Sequence, residues 1–167
     1  MPGLRTSRAA TSATARLLHD DDDVERNAHP LACADALART ADECSRQRER
    51  LSRLIARNVG RAELTAAHAI VDTCDLALEE CLSSYESACS RTAIADDAVR
   101  KSASLLWHAA RDYLRRCSSA EQAAQQLRQH DAEKFGDLHF AFELEASAVL
   151  ALRQACGAFV KLRPDAI

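Results

Sequence analysis

Between Pro30 and Pro164 the chain contains no proline, and its only glycines there are Gly60, Gly136 and Gly157. A stretch of this length without breakers, dominated by Ala, Leu, Glu, Arg and Gln, favours helix over every other regular structure. β-branched residues are sparse, and no segment alternates apolar and polar residues between turn signals as a half-buried strand would. The expectation is an all-α fold.

Hydrophobic periodicity divides the stretch into amphipathic segments. Cys33, Leu37, Ala41, Cys44, Leu51 and Ile55 recur at helical spacing in the first. The second steps by threes and fours from Leu64 through Val71, Leu78 and Tyr85 to Ala88. The third runs from Val99 through Leu106 and Tyr113 to Cys117, and the last through Leu138, Phe142, Val149, Leu152, Cys156 and Phe159. Each segment has one apolar stripe to bury, and four such stripes make an antiparallel four-helix bundle.

The turns are marked less sharply. Asn58-Val59-Gly60 ends the first helix, with glycine expected as the left-handed cap. Thr92 suits the N-cap of the third helix. Ser118-Ser119-Ala120-Glu121 reads as a capping box and Gly136-Asp137 as a stop followed by a start. The break is placed at Gly136; use of Ser118 as well would give five helices. Pro164 closes the last helix, so the folded domain is expected over residues 29–163.

Residues 1–28 differ in composition. Residues 1–16 carry no acid and are rich in Ala, Ser, Thr and Arg, and Asp20, Asp21, Asp22 and Asp23 follow. Such a segment has too little to bury, and a disordered N-terminal tail is expected. The alternative is an organellar import segment, since Arg and Ser without acid is the composition of a transit peptide. No apolar run is long enough to span a bilayer.

Seven cysteines lie on or beside the apolar stripes, none in a CxxC pair. Within a helix they are at least seven residues apart, about 10 Å along the axis, which excludes a one-helix metal site. Across an antiparallel hairpin turning at Gly60, Cys44 and Cys74 fall at one height and are the candidate soft-metal or redox pair. Otherwise the thiols act as small buried hydrophobes. An odd count without a secretory signal favours a cytoplasmic or other reducing compartment.

Three His-to-acid pairs at i,i+4 (His68 and Asp72, His108 and Asp112, His139 and Glu143) do not converge on one interior point. Arg48 interrupts the stripe of the first helix, and Asp131 and Glu145 interrupt that of the last. Buried charge is costly alone, so Arg48 is expected to pair with Glu145 or Asp131, or to mark a polar cavity.

No glycine-rich phosphate loop, GxSxG turn or HExxH helix is present. The net charge of −3, and the acids that offset the arginines at 46–57, give no case for a nucleic-acid partner. The expected function is therefore non-catalytic and without a cofactor: an interaction module, a subunit or adaptor of a larger or self-associated assembly. The last helix is apolar on nearly every side. Either it is the central helix, or its back face, with Phe140, Leu144 and Ala151, meets another chain. Trp107, beside its own stripe, is a further contact candidate. The alternative function is a metal- or small-ligand-binding bundle that uses the inward cysteines or the buried Arg/Glu pair.

Overall fold

The computed structural model describes residues 29–129 and 135–166, with side chains described outside 126–138. The expectations for residues 1–28 and for Asp131 lie outside the described residues. Four long helices follow one another: α1 (Pro30–Ala56), α2 (Arg61–Cys89), α3 (Asp97–Gln129) and α4 (Phe135–Leu162). A short 3-10 turn, Pro164–Ala166, completes the described chain. Among the described residues there is no strand, and no helix is long and apolar enough to cross a membrane. The molecule is an all-α four-helix bundle.

Local chemistry sets the ends of these helices. Pro30 occupies the first turn of α1, where its missing N–H costs nothing, and His29 Nδ1 accepts from the Leu31 N–H at 3.2 Å. At the other end of α1 the left-handed residue is Asn58, with φ of 51°, and not Gly60. The Asn58 N–H donates to Ile55 O and the Val59 N–H to Leu54 O, which is the Schellman arrangement. Val59 also packs against the small apolar cluster that holds Leu54. Gly60 instead has φ of −62° and is the N-cap of α2. The N-cap of α3 is Asp96 rather than Thr92: its Oδ1 accepts from the N–H groups of Ala98 and Val99 at 2.8 and 3.0 Å. Helix α3 runs unbroken through Ser118. Gly136 lies inside the first turn of α4, so the break falls just before it.

Helices α1 and α2 form one antiparallel hairpin and α3 and α4 the other, while α2 and α4 touch least. Helix α1 has the most buried residues among those described and packs on the other three and on the C-terminal turn, whereas α4 has few and packs chiefly on α3 and α1. The alternative of a central last helix is thereby corrected. The main core gathers Leu37, Cys44, Leu78, Leu106, Tyr113, Leu152 and Phe159. A second, smaller cluster of Leu51, Leu54, Ala67 and Val71 lies under the α1–α2 turn. On α1 the boundary between them falls at Arg48, and on α2 it falls at Asp75. The C-terminal turn is held to α1: Arg163 pairs with Asp35 at 2.7 Å, and Arg39 donates to Ala166 O at 3.0 Å. The packed domain thus extends to the buried Ala166, beyond the expected limit at 163.

Candidate functional site

The boundary between the two apolar clusters is polar, and every helix contributes to it. Arg48 is 6% exposed. Its Nε donates to the Tyr113 hydroxyl at 3.1 Å, and its NH2 group donates to Asp75 Oδ2 at 2.5 Å. Its NH1 group lies 3.4 Å from Glu145 Oε1. Glu121, mostly exposed, stands 3.7 Å away at the mouth of the cluster. Tyr113 closes the ring by donating its O–H to Asp75 Oδ1 at 2.7 Å. The guanidinium is therefore shared among α2, α3 and α4, and its partners lie on three separate helices.

The cluster has one cation and three carboxylates. Burial opposes the charge of Arg48, and the groups around it, Tyr113 and Asp75 among them, more than restore it, so its pKa is raised. Burial also raises the pKa of Glu145, against Arg48, which lowers it; Glu121 and Asp75 repel the carboxylate and add to the rise. Burial pushes the Cys117 thiol beside this cluster up to about 12. These groups satisfy one another internally, and they form a structural layer more than an open pocket.

The cysteines are spread through the bundle. None of the seven is in a disulfide. Cys44 and Cys74 do come together, but the Cys44 Sγ donates to the Cys74 backbone carbonyl at 3.1 Å. Burial raises both thiols, which disfavours the thiolate that a metal needs. Among the described residues no three His, Cys, Asp or Glu side chains are gathered to hold a metal ion. Of the His-to-acid pairs, His139 and Glu143 make a surface contact at 3.2 Å. His108 instead stands edge-on to Trp107, with ring centroids 4.6 Å apart.

Trp107 is half-buried and lines an open groove of about 500 Å³ between the end of α2 and the start of α3, together with Tyr85, Cys89 and Ile94. Arg111 lies over its ring at 4.8 Å, and its Nε1 is buried with no acceptor among the described residues.

Half of the exposed large apolar side chains among the described residues lie elsewhere, on α4. Its buried stripe is Ala148, Leu152, Cys156 and Phe159. Phe142, expected on that stripe, is 49% exposed, because the stripe drifts around the helix towards its N-terminal end. Phe140 is 61% exposed and Ala151 is exposed, while Leu144 is half-buried. Leu150, which the sequence reading did not single out, is 55% exposed and points away from the bundle. Its signal was available: no charge lies next to it in a run from Ala146 to Leu152. Asp75, Tyr113 and Glu121 were also missed as members of the polar layer.

Comparison with known proteins adds no relative: no family model, no curated protein and no solved structure matches the chain.

Proposed function

We propose that this chain is a non-catalytic helical interaction protein, a subunit or adaptor of a larger assembly, and that it assembles through the outward side of α4. The observation that carries this reading is the concentration of exposed apolar surface on one helix. Phe140, Leu150 and Leu162, each 46–61% exposed, lie within about 120° of one another around α4, whereas Ile55, Ile70, Leu76 and Leu105, also exposed, are spread over the other three helices. An isolated exposed leucine needs no explanation, but several large apolar side chains on one element mark a surface that another protein covers. The shielding of Arg48 by its own neighbours leaves the ligand-binding alternative without a comparable observation. Seven thiols outside any disulfide fit a reducing compartment.

The test is a doubly substituted chain, Phe140→Asp with Leu150→Asp, produced in the natural host beside the unchanged chain. Size-exclusion chromatography of the two extracts should place the unchanged chain in an assembly and the variant at monomer size, with equal helicity by circular dichroism. Identical elution of a folded variant and the unchanged chain would count against the α4 surface.

A further inference from the structure

We propose that the partner covering α4 is a second copy of this chain, docked antiparallel about a two-fold axis at Ala151. The proposal rests on the reading of α4 as an interaction surface and names its occupant.

One flank of α4 carries small residues at its centre and a large apolar residue at each end. Ser147 and Ala155 lie four residues to either side of Ala151, Leu144 and Ala158 seven, and Phe140 and Leu162 eleven. Steps of three and four keep all seven on one face of a helix. All are exposed or half-buried, and Ala155 packs against the core at the edge where this face meets the bundle. A two-fold axis through Ala151 sets each residue opposite its mirror number. Phe140 then meets Leu162 of the second copy, Leu144 meets Ala158, and Ala151 meets itself. The centre is small, which lets the helices approach. The ends are large, which closes them, and each Leu144 projects into the space that an alanine leaves.

The charges obey the same symmetry. Glu143 and Lys161 are eighteen residues apart, five full turns at 3.6 residues per turn, and so lie on one flank of the stripe. Both are exposed, and Lys161 makes no ion pair among the described residues. An antiparallel two-fold places like flanks side by side. Glu143 therefore faces position 159 of the second copy, about 3 Å along the axis from Lys161. The pair forms twice, once from each copy. Parallel docking would instead leave Glu143 about 27 Å along the axis from Lys161 of the second copy, with the two like flanks on opposite sides of the helix pair. The stripe is about 33 Å long, and a single helix pair of that length lies at the small end of stable interfaces, about 1,200 Å² in total.

Sedimentation velocity on the full chain tests this, with Glu143→Lys, Lys161→Glu, the double reversal, and Ala151→Arg compared from about 1 to about 200 µM. The unchanged chain should pass from monomer to dimer. Each single reversal and Ala151→Arg should weaken the dimer by roughly tenfold or more, and the double reversal should regain most of the loss. All four are surface changes, and circular dichroism checks that each variant is folded. A monomer at every concentration overturns the proposal, and so does a dimer that none of the four changes alters. The two failures differ in what else they remove. If the pure chain is monomeric but enters an assembly in its host that Phe140→Asp with Leu150→Asp abolishes, the second copy is wrong and the α4 surface stands. A dimer indifferent to all of these substitutions removes both.

Discussion

Arg48 shows how one residue can organise a helical core. A lone buried guanidinium would cost several kcal/mol, and here three helices supply its partners. Tyr113→Phe removes the hydroxyl that bridges Arg48 and Asp75 and leaves Nε without an acceptor. A loss of about 1–3 kcal/mol is expected in urea unfolding. Glu145 behaves in the opposite sense. Its pKa in the fold is raised, so its contribution to stability is fully present below the ordinary glutamate range and is lost as pH rises through the raised value. Glu145→Gln should therefore match or exceed the parent in thermal stability at pH 7. Its advantage should shrink at pH 4, where the parent is protonated. A variant that melts well below the parent at pH 7 would mean that the contact with Arg48 outweighs the burial cost. Arg48 and Glu145 were legible in the sequence because charge interrupts an apolar stripe. Asp75 was not, since it sits one residue off the stripe, although its spacing of four from Val71 and three from Leu78 turns it inward. Tyr113 was read as apolar because its ring fills a stripe position, and its hydroxyl has no signature in periodicity.

Helix number and type could be read from the breaker pattern, but helix ends could not. Ser118 and Gly136 carry cap-like sequences, yet α3 passes through the first and α4 incorporates the second. The apolar stripe continues through Ser118, and the burial it secures outweighs a local cap preference of about 1 kcal/mol. The α1–α2 turn exchanges roles within three residues: Asn58 adopts the left-handed conformation that glycine usually supplies, and Gly60 starts the next helix. The α3 cap gives a direct test. Asp96→Ala should cost about 0.5–2 kcal/mol, whereas Thr92→Ala, exposed and outside the helix, should change stability by less than about 0.5 kcal/mol. Equal effects in chemical denaturation would contradict the assignment of Asp96.

For the whole molecule, the hairpin of α1 and α2 followed from the turn signal at Asn58-Val59-Gly60, which set Cys44 and Cys74 at one height, but the deep burial of α1 did not. Helix α4 is the most apolar of the four, and that suggested a central place. Among the described residues α1 is instead the most buried helix, and the surplus of α4 is turned outward. Burial within one chain therefore leaves part of the apolar surface of α4 exposed, and the proposed interface rests on that remainder. The measurement that bears on this most directly is native mass spectrometry of the chain purified from its own host. The expected result is a multiple of 18.3 kDa, or that mass joined to another protein chain, with no small added mass. A monomer carrying the extra mass of a metal or small ligand would contradict an interaction role and direct attention to the cysteines and the Arg48 cluster.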